Sequence, residues 1–285
     1  QDGPDGEHLP DRLARETVAF MAAHREEPFL AFLSFYSVHT PLMAPKPLTE
    51  KYTLKRKSLE HEGPRWLAER ARHSRQVQDH PVYAGMVESM DAAVGTILDG
   101  IEELGISQNT IVIFFSDNGG LSTSEGHPTS NVPLRAGKGW IYEGGIREPC
   151  LMRIPGVTSP GTTTAVPISS IDFRPTLLEI CGIDETVDDV DGISILPVLK
   201  DNNGVLDRDD MYWHYPHYGN QGGAPSGAIR MGDWKLIQWF EDDSVELFNL
   251  RQDIGEKKNL AQEYPELVAR LRSRLSEWQK SIGAN

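Results

Sequence analysis

Two short runs, PFLAFLSFY at residues 28–36 and TIVIFF at 110–115, are apolar at nearly every position, and each follows a segment with helical spacing. A strand that is apolar on both faces is one that a parallel sheet covers on both sides, so this pattern predicts layered α/β architecture. The first helix is read from DRLARETVAFMAAH, with Leu13, Thr17, Phe20 and Met21 on one face and Asp11 placed to cap its start. The second, VYAGMVESMDAAVGTILDGIEELG, spaces Met86, Met90, Val94, Ile97, Ile101 and Leu104 along a helix that Gly105 is suited to end. PCLMRIP reads as a further short strand. PTLLEIC reads as a compact helix with Pro175 in its first turn and Gly182 at its end.

The pattern changes near residue 204. AIRMGDWKLIQWFEDDSVELFNL predicts an antiparallel meander with turns at Gly232-Asp233 and Asp242-Asp243. The last segment places Leu267, Leu271, Leu275, Trp278 and Ile282 on one helical face between Pro265 and Gly283, ready to pack on that sheet. The expected fold is therefore a partial doubly wound α/β sheet, mixed or mostly parallel, over residues 1–204. A small antiparallel sheet with a terminal helix follows over 205–285.

A formal charge of −14 argues against nucleic-acid binding and suits hard cations. No apolar run approaches the roughly 18 residues of a membrane span. Cys150 and Cys181 are too few for a disulfide scaffold. One segment nevertheless concentrates Lys46, Lys51, Lys55, Arg56, Lys57, Arg65, Arg70, Arg72 and Arg75. It is read first as a solvated, partly helical insertion, with an anionic ligand as the alternative.

Three polar clusters follow strands or glycine turns, where α/β sheets collect ligands. His39 lies just beyond the first apolar run; Asp117-Asn118-Gly119-Gly120 ends the second; Lys138 sits among Gly137, Gly139, Gly144 and Gly145. Asp117 and Asn118 offer the oxygen donors of a Ca²⁺ or Mg²⁺ site, and the competing reading is a strand-ending turn in which Asp117 bonds its own backbone. In DMYWHYPHYGNQGG, His214 and His217 lie among aromatic residues, an arrangement suited to a sugar subsite or to a packed connection between subdomains.

SFYSVHTPLMAPK, the long helix segment, NTIVIFFSDNGG, NVPLRAGKGWIYEGGIREP, SSIDFRPTLLEICGI, DGISILPVL and IRMGDWKLI...ELFNLRQDIGEKKNLA together resemble the formylglycine-dependent sulfatases of the alkaline phosphatase superfamily, in family order and over practically the whole chain. The resemblance implies that Asp117 and Asn118 ligate Ca²⁺ in preference to Mg²⁺, that Lys138 contacts the sulfate group, and that His39 assists departure of the alcohol. It implies a sulfated carbohydrate or aryl sulfate substrate; His214 and His217 are read as substrate residues from their aromatic setting, and Asp91, Asp172 and Arg147, which sit in family-like segments, as structural ones. Asn118 favours sulfate over phosphate or phosphonate esters, whose hydrolases tend to carry histidine in this slot. The family's location is periplasmic or secreted, or lysosomal in a eukaryote. The CxPxR or SxPxR motif that yields the formylglycine is not among the 285 residues, nor are the family's paired N-terminal aspartates. The chain is thus expected to be the C-terminal part of a sulfatase, inactive alone and needing the N-terminal half of its own domain. A non-catalytic protein binding sulfated glycans is the alternative from a different class.

Overall fold

The computed structural model describes residues 6–184 and 190–284. Helix α1 spans Leu9–His24 and packs against the long helix α3, Pro81–Glu103. The residues that α1 buries are Pro10, Ala14 and Met21, and Phe20 stays exposed. Its cap also differs from expectation: His8 occupies that position with Asp11 inside the first turn, because Pro10 fits the first helical turn and moves the start upstream. The His8 ring lies 2.9 Å from Ser89 Oγ and ties the start of α1 to α3. On α3 the fully buried side chains include Met86, Ser89, Ala93 and Ile101, and the chain leaves it through Gly105 at φ +71°.

Between them, the basic segment forms helix α2, Lys46–Lys57, and a hairpin of β1, Trp66–Glu69, with β2, Arg72–Arg75. Much of its charge is matched within the chain. Arg56, Arg65 and Arg75 converge on the buried carboxylate of Asp79, and Lys51 reaches Glu88 at 2.7 Å. A buried carboxylate shared by three guanidiniums is held below the usual carboxylate range: burial opposes ionisation, and the bonds to Arg75 and Arg65 outweigh it.

Strand β3, Val112–Phe115, pairs antiparallel with β4, Cys150–Arg153, and the four-residue helix α4, Glu143–Ile146, precedes β4. The expected strand at residues 28–36 is not formed. That segment enters no ladder among the described residues, and Leu30 and Phe32 are 82% and 89% exposed. An apolar run becomes a strand only when neighbouring strands take its backbone hydrogen bonds, and none of the described strands lies beside it.

Helices α5, Phe173–Ile180, and α6, Leu196–Lys200, lead into the C-terminal sheet. This sheet has four antiparallel strands in sequence order: β5, Asp210–Tyr215; β6, Ser226–Met231; β7, Trp234–Trp239; and β8, Val245–Asn249. The predicted meander supplies three of them. The fourth, β5, comes from DMYWHY, the stretch whose sequence suggests a sugar subsite or a packed connection between subdomains. Strand alternation divides the sheet's faces. Ile229, Leu236 and Leu247 face Leu271 and Leu275 of the terminal helix α7, Pro265–Ser281, all without exposed surface. Ala228, Ile237 and Phe248 face Ala136, Trp140, Ile141 and Tyr142 of the glycine-rich segment. The expected boundary at 204/205 falls in the connection before β5, yet the C-terminal sheet takes half its core from residues upstream of it. No helix among the described residues is long and apolar enough to cross a membrane.

Candidate functional site

Glycine is needed after Asn118 because two loops meet there backbone to backbone. Gly119 N–H donates to the Gly145 carbonyl at 3.2 Å, and a Cβ at Gly119 would overlap the Gly144 carbonyl oxygen. Asn131 fastens the same junction, accepting from Gly120 N–H at 3.0 Å and donating to the carbonyls of Gly120 and Ala136 at 2.7 and 2.8 Å. The backbone N–H of Lys138 then donates to the Gly120 carbonyl at 3.2 Å. The Asp117-Asn118 loop and the Lys138 loop are thus one hydrogen-bonded unit.

Within that unit the functional side chains remain unspent. Among the described residues, neither Asp117 nor Asn118 uses its side chain in a hydrogen bond, and the Lys138 amino group enters no ion pair. The alternative of a self-capping turn at Asp117 is therefore not what the chain adopts. Ser116 Oγ instead donates to the Asn118 carbonyl at 3.1 Å and shapes the turn.

A carboxylate absent from the sequence reading joins Asp117. The β3–β4 register pairs Phe115 with Cys150, and Ser116 N–H continues it to the Pro149 carbonyl, which places Asp117 across from Glu148. Glu148 Oε1 is buried without a hydrogen-bond partner. Burial first, and the charge of Asp117 second, push its carboxyl up to about 7. An orphaned carboxylate oxygen beside two unspent oxygen donors fits a hard cation, although no group of three or more His, Cys, Asp or Glu side chains gathers for a metal among the described residues. Asp117 and Asn118 are the residues that would hold it, as part of a shell. The signal for Glu148 was its place one residue before the proline that leads into β4.

His39 is tied to the same region through its neighbour Thr40. Its Nδ1 lies 2.7 Å from the Thr40 carbonyl, and a carbonyl can only accept, so Nδ1 carries a proton and Nε2 is the free nitrogen. Thr40 Oγ1 donates to Glu125 Oε2 at 3.0 Å, and the Glu125 charge is close enough to feel both His39 and Lys138. The structure thereby gathers His39, Lys138 and the Asp117-Asn118 loop.

His214 and His217 sit apart. His214 lies on β5, with Nδ1 3.2 Å from Gln279 Nε2 of α7 and its ring against Phe240. His217 is exposed beside Tyr215. From that stretch Gln221 reaches the Lys138 loop, its carbonyl accepting from Trp140 Nε1 at 3.1 Å, and Asn220 reaches Glu125, its Nδ2 donating to Oε1 at 2.8 Å. Sequence reasoning missed both because the aromatic residues drew attention from the plain amides beside them. Asp172 is fully buried and bidentate to Arg208 at 2.7 and 2.9 Å, and Arg147 lies 3.5 Å from Glu143.

Residues 2–183 match the family model described as Sulfatase, and residues 136–281 match the model for the C-terminal part of N-sulphoglucosamine sulphohydrolase. A protein of Formosa agariphila named Sulfatase is 36% identical, the alignment covering 95% of this chain and 50% of that protein. Mouse steryl-sulfatase is 34% identical over 73% of this chain and 30% of its own length. Among solved structures, Ps i-CgsB in complex with k-i-k-neocarrahexaose superposes with a TM-score of 0.78 at 27% identity, covering 98% of this chain and 56% of that one. The chain spans half or less of the length of these two curated relatives.

Proposed function

We propose, from the premise that this chain belongs to the sulfatase family of the alkaline phosphatase superfamily, that the full-length protein containing it is a sulfuric-ester hydrolase acting on a sulfated carbohydrate. The observation that carries this reading is the unspent set of Asp117, Asn118 and Lys138 on one hydrogen-bonded loop pair. An ammonium that enters no ion pair among the described residues is what an anionic sulfuryl group needs, and it is preorganised by a backbone that cannot shift without breaking the glycine junction. The carbohydrate is supported by the neocarrahexaose bound to Ps i-CgsB. Sulfate in preference to phosphonate is supported by Asn118.

Lys138 neutralises charge on the sulfuryl oxygens. Nδ1–H of His39 is held on the Thr40 carbonyl, so the ring acts as the acid when both nitrogens are protonated: Nε2–H passes to the departing sugar oxygen and the ring is left as the Nδ1–H tautomer. Asp117 and Asn118 would hold a Ca²⁺, which when bound would supply further positive charge against the sulfate. The nucleophile, a formylglycine, comes from residues outside these 285, so the chain alone turns over no sulfate ester. The test is release of inorganic sulfate from a panel of sulfated sugars by the full-length protein and by the isolated chain. Calcium-dependent release by the first alone is the expected result. No release by either would leave the glycan-binding reading standing, and release by the isolated chain would refute the division of the site.

A further inference from the structure

Glu125 is the acidic group of the site that the proposed chemistry does not use. It lies at the tip of a turn in which Glu125, Gly126 and His127 all have positive φ, at +49°, +84° and +50°. Glutamate gains nothing from the left-handed region that glycine or asparagine would not supply at lower cost. The tip is nonetheless fixed: His127 N–H donates to the Ser124 carbonyl at 2.8 Å, Arg75 Nη1 donates to the His127 carbonyl at 2.7 Å, and the His127 ring meets Trp66 edge to face. The carboxylate is held out from this anchor between Thr40 and Asn220, within electrostatic reach of His39 and Lys138.

We propose that Glu125 determines specificity at this site: its fixed negative charge, set between the His39 loop and Asn220 beside Lys138, favours sugars whose groups next to the sulfate ester are hydroxyls and disfavours those carrying a second sulfate or a carboxylate there. The inference rests on the sulfate-ester reading above. Lys138 is spent on the reacting group, so a second anion alongside meets Glu125. The other cation of this rim, Arg72, has Nη2 on the Asn220 carbonyl at 3.0 Å, with Glu125 on the same residue's amide. A hydroxyl, by contrast, can donate to carboxylate lone pairs that Thr40 and Asn220 leave open. Discrimination of this kind works by repelling the wrong ligand.

The experiment compares kcat/KM of the full-length protein for a monosulfated sugar and for the same sugar with a second sulfate on the adjacent carbon. In Glu125→Gln the ratio of the doubly to the singly charged substrate rises on the order of tenfold, the scale of one partly solvated like charge at close range. Glu125→Asp, which keeps the charge, retains the wild-type ratio. An unchanged ratio in Glu125→Gln, with turnover lowered equally on both substrates, would show that the side chain only holds its loop and would overturn the proposal. So would Glu125→Asp behaving like Glu125→Gln. Absence of wild-type turnover on both sugars is a different result: it removes the sulfate-ester reading, and this inference with it.

Discussion

Lys235 Nζ, with no exposed surface, lies 2.9 Å from Glu143 Oε1 and 2.9 Å from Glu256 Oε1. Glu143 opens the short helix that follows the Lys138 loop, Lys235 is the second residue of β7, and Glu256 Oε2 accepts from Glu143 N–H at 2.6 Å. Arg135 Nη1 completes the lattice by donating to the Glu256 carbonyl at 2.9 Å. A buried ionic cluster thus fastens the C-terminal sheet to the segment carrying Lys138. Burial would drive both carboxyls upward. The Lys235 charge holds Glu143 below the usual carboxylate range in spite of it, while Glu256, facing the same lysine and also Glu143, stays raised.

Lys235→Met therefore strands two buried carboxylates and destabilises the fold by about 3–5 kcal/mol, the scale for removing one partner of a buried pair. In the variant both carboxyls have folded values above their unfolded ones. The sign follows: stability is retained below the ordinary carboxylate range and lost as pH rises through the raised values. Thermal unfolding from pH 4 to pH 8 should show the gap between variant and wild type widening with pH. A gap independent of pH would mean that packing, not charge, holds the contact.

Asp117→Ala in the full-length protein should weaken calcium binding at least about tenfold, because it removes a charged oxygen from a shell that needs about six or more. Calorimetric titration with calcium reads this directly and without substrate. An affinity equal to wild type would remove Asp117 from the metal.

Lys138→Met and Lys138→Arg should both lower kcat by about 10²–10³, the scale of losing one preorganised charge at the reacting centre. Arginine fails as a replacement because a planar fork cannot take the place of a compact ammonium in a loop whose backbone is closed by Gly120 and Gly137. Folding should be unaffected, since the Lys138 side chain enters no hydrogen bond or ion pair among the described residues.

How much of this was legible in the sequence differs between the two halves. Leu271, Leu275 and the Trp-rich strand follow their periodicity into the structure because all their partners are local: helix α7 and strands β6 to β8 lie within sixty residues of one another. PFLAFLSFY has the composition of a buried strand and no ladder among the described residues to join, so Leu30, Phe32 and Tyr36 remain exposed. Composition reports what a segment can bury, and only neighbours decide whether it does. At the site, adjoining glycines marked Asp117 and Lys138: Gly119-Gly120 follow the Asp117-Asn118 pair, and Gly137 and Gly139 flank Lys138. Glu125, Glu148 and Asn220 carried no such mark, because each acquires its place through a partner distant in sequence.

That exposed surface has its own consequence. Leu30, Phe32, Leu151 and Phe115 are exposed at 82, 89, 61 and 39%, on a free apolar segment and a two-stranded sheet with open edges. Such surface associates in water. The isolated chain should elute from size exclusion as a concentration-dependent oligomer, and a monodisperse monomer with one cooperative unfolding transition would show that the expectation is wrong.

The role given to His39 makes the sharpest demand on kinetics. A proton donor is needed in proportion to the basicity of the leaving oxygen: a sugar alkoxide cannot leave unprotonated, whereas a 4-nitrophenolate can. His39→Ala in the full-length protein should therefore lower kcat on a sulfated sugar by about 10²–10⁴, the contribution of a positioned general acid, and lower it far less on 4-nitrophenyl sulfate. Thr40 separates positioning from proton transfer, because its carbonyl fixes the imidazole tautomer through Nδ1 while its hydroxyl holds Glu125. Thr40→Val removes the hydroxyl and keeps the carbonyl, so it should retain the wild-type dependence on the leaving group. If His39→Ala slows both substrates equally, the ring is a scaffold and the proton comes from elsewhere.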